Sequence, residues 1–255
     1  MKTIFRKFST PALLLFILLG AGCKKVVDYL VVHPDGLISN YQIKKFIYRD
    51  PYSKNSPPDT ITFTYNQYGN PVSGTRPGPR TGAPNYLFLY DKDRLTDFVG
   101  VYSNGTSAEY WHKYFYDNLG RIVLDSVYQF PQIQNGKMVN PYGSYIIRFD
   151  YDNLNRIIGG TMILPDGYTY PQSYSYDANG NRSGGSYDSK INFRRTNRIW
   201  MFLDRDYSIN NSFLADTYNA IGLPTSINLN PDGGFQTAVF TENYFSEATI
   251  IYQLR

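Results

Sequence analysis

Tyr114-Phe115-Tyr116-Asp117-Asn118-Leu119-Gly120-Arg121-Ile122 reads as a β-hairpin. Tyr114 and Tyr116 stand two apart, so on a strand their rings share one face. Asp117 suits the first position of a type I turn, where its carboxylate accepts from nearby backbone N–H groups. Gly120 suits the left-handed residue that follows, which completes a G1-bulge connection. Arg121 and Ile122 then begin the return strand.

The same pattern recurs with substitutions. Its other units are Phe63-x-Tyr65-Asn66-x-x-Gly69-Asn70, Phe88-x-Tyr90-Asp91-x-x-Arg94-Leu95, Phe149-x-Tyr151-Asp152-x-x-Asn155-Arg156, Tyr174-x-Tyr176-Asp177-x-x-Gly180-Asn181 and Asp216-x-Tyr218-Asn219-x-x-Gly222-Leu223. The second tyrosines are 25, 26, 35, 25 and 42 residues apart. A period near 25 holds two strands and two turns, and the longer intervals are that period plus insertions. Asn replaces Asp at the turn start and Gly at the left-handed slot without loss of function, because it makes the same local hydrogen bonds and tolerates positive φ. Arg94 in the Gly slot does neither, so the second unit is expected to turn differently.

Hairpins in series pair with their neighbours into an antiparallel meander. Six units give about a dozen strands, more than an open sheet holds without curling. Tyr145, Ile147, Phe149 and Tyr151 share one face, opposite Arg148 and Asp150; Tyr168, Tyr170, Tyr174 and Tyr176 likewise oppose Thr169, Ser173 and Ser175. An aromatic face and a polar face predict a sheet rolled with its rings inward. Tyr41–Tyr48 reads as a strand before the repeats, and Thr249–Leu254 as the closing strand after them. Loops are expected at Arg49–Pro58 and Gly74–Pro84, and turns at Pro34-Asp35-Gly36, Asn104-Gly105, Pro165-Asp166-Gly167 and Pro231-Asp232-Gly233. The fold class expected is therefore all-β: one antiparallel meander of hairpins, curled or rolled, over residues 40–255.

Tyrosine dominates the composition: 25 Tyr and 16 Phe stand against 2 His, 2 Trp and 1 Cys. Its broad ring and polar tip suit half-buried strands. Residues 1–22 read as a targeting segment. Lys2, Arg6 and Lys7 form a basic start, Ala12–Leu19 an apolar run too short to span a bilayer, and Gly20-Ala21-Gly22 lead into Cys23. This resembles a bacterial lipoprotein signal, in which Cys23 is lipidated and becomes the mature N-terminus. Gly20 stands where such signals usually carry Leu. The alternatives are an ordinary secretory signal and an N-terminal membrane anchor. Residues 23–39 then form a tether and lead-in. Without residues 1–22 the chain has 22 basic against 21 acidic side chains, about +1, which gives no case for a nucleic-acid partner.

The Tyr-Asp-x-x-Gly-Arg core at Tyr116–Arg121, repeated over roughly residues 60–225, resembles the YD repeat of the RHS/YD-repeat family. In large members such repeats wind into a spiralling β-sheet shell around a cargo domain. This chain is far too short for that, and it is more similar to short YD-repeat envelope lipoproteins of Gram-negative bacteria. The resemblance implies the fold and an outer-membrane address, on a face left open. It supplies no catalytic residue.

The residues themselves suggest little chemistry, and they call for no metal or cofactor. His33 and His112 stand at no ligand spacing. Asp177-x-Asn179-Gly180-Asn181 has a faint calcium-loop look but already has a turn role. Asp204 and Asp206, flanking Arg205, read as a solvated face. Two stretches invite a partner. Around Glu109–Tyr116, Trp111, Lys113 and Phe115 lie opposite the core face, where they would either bind a ligand or pack under an insertion. In the longest insertion, Arg194, Arg195 and Arg198 precede Trp200, which makes either an anion or partner patch or an apolar plug for the rolled sheet. The function expected is a lipid-anchored, non-enzymatic module that binds a glycan or an envelope protein. The alternative is a glycan-active enzyme whose carboxylates meet only in the fold.

Overall fold

The computed structural model describes residues 38–49, 57–229 and 235–255. The stretch read as a targeting segment, Cys23, His33, the turns expected at Pro34 and Pro231 and most of the loop expected at Arg49–Pro58 lie outside the described residues.

The strands are, in chain order, β1 (Tyr41–Arg49), β2 (Asp59–Tyr65), β3 (Pro71–Thr75), β4 (Asn85–Asp91), β5 (Arg94–Val101), β6 (Ala108–Tyr116), β7 (Ile122–Gln129), β8 (Gln132–Gln134), β9 (Lys137–Val139), β10 (Gly143–Tyr151), β11 (Ile157–Ile163), β12 (Thr169–Ser173), β13 (Thr217–Tyr218), β14 (Pro224–Asn228), β15 (Phe235–Thr237), β16 (Thr241–Phe245) and β17 (Glu247–Leu254). Thirteen of them form one antiparallel sheet in the order β12-β11-β10-β7-β6-β5-β4-β3-β2-β1-β17-β14-β13. The last strand slots between β1 and β14, and β12 and β13 remain as open edges, so the sheet is not a closed barrel.

Each motif residue has a defined task. Gly120 N–H donates to the Asp117 carbonyl at 3.0 Å, and Asp117 Oδ1 accepts from the N–H groups of Leu119 and Arg121, both at 2.9 Å. These bonds, led by the one from Arg121, hold the Asp117 carboxyl below its usual range. Gly120 lies at φ +75°, and Asn155 fills the same slot at +58°. Arg121 pairs with Asp117 of its own turn and stacks on Tyr151 of the next unit; Arg156 pairs with Asp152 and stacks on Tyr176. The second tyrosine reaches back to the preceding unit. Tyr90, Tyr116 and Tyr151 hydroxyls donate to the carbonyls of Pro71, Leu95 and Ile122 at 2.7–2.8 Å. Tyr65 and Tyr252 make the same kind of bond to Ile43 and Pro224, and Tyr176 a longer one of 3.3 Å to Ile157. A ladder of hydroxyls thus stitches successive hairpins together.

The second unit does turn differently. Its loop is one residue shorter, Lys92-Asp93, with Lys92 at φ +58°. Arg94 consequently occupies the Arg slot, not the Gly slot, and stacks on Tyr116. Two expectations need correction, and β1 departs from simple alternation. A bulge at Lys44 puts Ile43, Phe46 and Tyr48 on the inner face of β1, which strict alternation would separate. Gly74 belongs to β3, where a Cβ would meet the Tyr86 and Phe63 rings at 2.9 and 3.0 Å. Finally, Tyr168 and Tyr170 do not turn into a core. They are 69% and 54% exposed, because β12 is an edge strand and the fifth unit keeps its turn but only a single bridge, Tyr176–Arg182. Pro171 within β12 suits an edge, since it has no N–H for a further strand.

The core is built around the insertion between the fifth and sixth units. There a 3-10 turn (Phe193–Thr196) runs into helix α1 (Arg198–Leu203), whose N-cap Asn197 accepts from Ile199 N–H. Phe193 meets Phe46 of β1, Trp200 meets Phe63 of β2 and Phe88 of β4, and Phe202 meets Tyr114 of β6 and Phe149 of β10. In a flat sheet β1 and β10 would lie about 34 Å apart. The helical rise from Phe193 to Phe202 is only about 15 Å. The sheet therefore curls around this segment, which fills its concave side.

Candidate functional site

The hairpin β8–β9 continues the antiparallel pairing past the start of β6, through a bridge between Ser107 and Gln132. Ile133 N–H donates to the Thr106 carbonyl, and the Ile133 and Trp111 side chains each pack against a small second core of Val99, Val101 and Ala108. Trp111 Nε1 donates to Asp97 Oδ1 at 2.7 Å. Trp111 is thus half-buried, held by Asp97 and packed against this small cluster. Lys113 is exposed on the same face and Phe115 is 46% exposed. The Asn135-Gly136 turn of this insertion, with both residues at positive φ, is a hairpin signal the sequence reading overlooked.

In the inserted segment, Arg194 and Trp200 are taken off any surface. Trp200 is fully buried, and Arg194 is buried and paired with both Asp204 and Asp206. The solvated face expected at Asp204 and Asp206 is therefore wrong: the Asp204 side chain is 2% exposed, and burial pushes its carboxyl up against the pull of Arg194. The reason is that a plug running through a core must neutralise its charges internally. Arg195 is half-buried, with Nη1 3.4 Å from the Tyr207 carbonyl. Arg198 alone of the three arginines is exposed, and its Nη2 donates to the Asp93 carbonyl at 3.1 Å.

Arg198 opens onto a cleft of about 410 Å³ at the turn end of the sheet, shared with Arg94, Arg121, Tyr116, Tyr151 and Tyr207. Here the repeat brings cations and tyrosine rings together, with Arg94 5.4 Å from the Tyr116 ring and Arg121 5.0 Å from the Tyr151 ring. Asp177, the calcium-loop candidate, instead caps its own turn, with Oδ1 accepting from Asn179 and Asn181.

A second cavity, of about 180 Å³, lies between β6, β7 and the plug. His112 and Asp125 line it, with His112 Nδ1 2.8 Å from Asp125 Oδ2. Asp125 is 2% exposed, and its Oδ1 has no hydrogen-bond partner among the described residues. Burial pushes the neighbouring Tyr114 hydroxyl well above its usual range, and the Asp125 charge adds to this. The sequence reading missed this pair. Alternation from Ile122 would send Asp125 outward. However, the return strand carries a bulge just after the turn, opposite the Phe115–Tyr116 step of the partner strand, which swings Asp125 and Val127 inward. Counting three residues on from the first return-strand residue would have found it.

No known family matches the sequence, and no curated protein does. Among solved structures, the fold is similar to a chain of the Tc holotoxin pore of Photorhabdus luminescens carrying the TccC3-D651A mutation, at 13% identity and a TM-score of 0.24, over 69% of this chain and 10% of that one. The chain thus spans about a tenth of the length of the structure it matches.

Proposed function

We propose that this chain is a lipid-anchored envelope protein of YD-repeat type. It would sit at the outer membrane of a Gram-negative bacterium, where it acts as a binding or scaffolding module for a glycan or an envelope protein. The basic start, short apolar run and small residues before Cys23 support the anchor. The observation that carries the binding role is the turn-end cleft, where Arg94, Arg121 and Arg198 stand among Tyr116, Tyr151 and Tyr207. Tyrosine and arginine dominate binding hot spots because each offers a flat apolar surface together with hydrogen-bond donors. Exposed Phe115 and Lys113 on the outer face would extend the contact. The enzyme alternative draws on paired carboxylates, but Asp204 and Asp206 are both bonded to Arg194 inside the plug.

The test follows the full-length chain and Cys23→Ala in a Gram-negative host fed a fatty-acid analogue, then measures retention of both proteins on purified envelope polysaccharide and on envelope protein. The expected outcome is label on wild type only, with both proteins retained. Label persisting in Cys23→Ala ends the lipid anchor, and failure of both to be retained ends the binding role.

A further inference from the structure

We propose that two clefts meeting at Asp93 and Arg198 form one groove for an acidic glycan, with an anionic group of the sugar chain held between the guanidinium groups of Arg94 and Arg198. This names the ligand class of the binding-module reading above and rests on it.

The first ground is a cation that the repeat leaves without a counter-charge. In the third and fourth units the arginine after the turn is neutralised by the aspartate that starts it, Arg121 by Asp117 at 2.8 Å and Arg156 by Asp152 at 2.7 Å. The second unit has the same residue types in Asp91 and Arg94, but its loop is one residue shorter. Asp91 and Arg94 are opposed across the strand pair without forming an ion pair, and Arg94 has no carboxylate partner among the described residues. Arg94 instead reaches toward the next unit. Its guanidinium lies 5.4 Å from the Tyr116 ring, with Nη2 4.0 Å from where a Cβ on Gly120 would stand.

The second ground is a cation brought to the same place by the plug. Arg198 is exposed, and its Nη2 donates to the carbonyl of Asp93, the residue before Arg94. It too has no carboxylate partner among the described residues; the exposed Asp93 carboxylate lines the cleft but pairs with neither arginine. Burial pushes the Tyr116 hydroxyl up, and the charges of Arg198 and Arg94 both pull it back down, so the two cations converge on one ring. Two guanidinium groups in one cleft repel each other, and an anion between them relieves this while accepting paired hydrogen bonds.

The third ground is the extent and lining of the groove. The cleft of about 410 Å³ adjoins another of about 460 Å³, and Asp93 and Arg198 line both. Each lies in the size range of small-molecule sites, roughly 300–1,000 Å³. The second cleft is walled largely by polar groups, among them Tyr68, Asn70, Thr196 and Asn197, and Tyr68 is 57% exposed. A peptide gains most of its affinity by seating apolar side chains in pockets. Amide, hydroxyl and guanidinium groups beside tyrosine rings suit a chain of hydroxylated rings instead.

The experiment titrates the full-length chain in detergent with trigalacturonate and with mannose phosphate, which separate carboxylate from phosphate as the anionic group. Maltotriose serves as a neutral sugar, acetate and inorganic phosphate as anions without a sugar, and hexaglutamate as an acidic peptide. The variants are Arg94→Gln and Arg198→Gln, with Arg148→Gln as a control, an exposed arginine of β10 that lines neither cleft. We expect saturable binding of at least one acidic sugar, about tenfold or more tighter than that of maltotriose. Arg94→Gln and Arg198→Gln should each weaken it by about tenfold, as for lost hydrogen bonds to a charged group. Arg148→Gln should leave it unchanged, and all three melting temperatures should stay near wild type because the side chains are exposed. Binding of neither acidic sugar, equally tight binding of maltotriose, a free anion or hexaglutamate, or an equal loss in Arg148→Gln overturns the proposal. So does undiminished binding by Arg94→Gln and Arg198→Gln. If wild type is nevertheless retained on envelope material, the module reading stands and only this ligand class is removed. If it is not retained there either, that reading falls as well.

Discussion

The hairpin repeats and the plug they surround are held together by opposite means. In the repeats, each recurring residue is satisfied locally or by the next unit: aspartate by its own turn, arginine by that aspartate and a neighbouring ring, tyrosine by a carbonyl one hairpin back. In the plug, contacts are unique and distant. Trp200 touches Phe63, Phe88 and Phe240, and Arg194 is neutralised by Asp204 and Asp206 within the same insertion. Recurrence therefore marks architecture. Departures from it mark positions with individual tasks, such as Arg94 at the turn-end cleft.

Deleting the plug's central ring should have the largest effect. Trp200 is fully buried among β2, β4 and Phe240. Trp200→Ala is expected to cost about 3–5 kcal/mol, from lost burial plus the cavity left behind. Chemical denaturation of the full-length chain measures it. A loss below about 1 kcal/mol would mean the sheet keeps its curl without the plug, since such a cost matches a surface site.

Much of the repeat region could be read in advance, because it says the same thing several times. The turn at Asp117–Arg121, its relatives at Asn66, Asp152, Asp177 and Asn219, and the long antiparallel sheet follow from turn chemistry and alternation. The remainder was hidden by two physical causes. Bulges shift alternation by one residue, which concealed the inward faces of β1 and β7 and with them Asp125. Insertions occur once, so nothing in the sequence says which strands they touch. Arg194–Trp200 as a plug and the buried Asp204 both depend on contacts that local pattern does not reveal.

A smaller effect is expected within a single turn. Gly120→Val places a β-branched residue at φ +75° and should cost about 1–3 kcal/mol. Gly120→Asn should cost less than about 1 kcal/mol, because asparagine tolerates the left-handed region, as Asn155 does in the same slot at φ +58°. Denaturation midpoints of the two variants decide this. Equal values near wild type would show that the left-handed slot is not what the repeat is built on.

The tyrosine ladder is tested most directly by alkaline titration. Tyr65, Tyr90, Tyr116, Tyr151, Tyr176 and Tyr252 all have hydroxyls pushed up from 10.0, chiefly by burial, with Tyr176 at about 12. A raised folded value means the stabilisation is complete below the unfolded value and is lost as pH rises through the folded one. Every tenfold difference in proton affinity between the folded and unfolded chain corresponds to about 1.4 kcal/mol, so several tyrosines together make the sheet fail above pH 10. Tyrosinate absorbance and circular dichroism are followed on one sample. The ladder should ionise in a single step coincident with loss of β-structure. Smooth ionisation of nearly all tyrosines around pH 10, with the circular dichroism unchanged, would contradict the claim that their hydroxyls stitch the hairpins together.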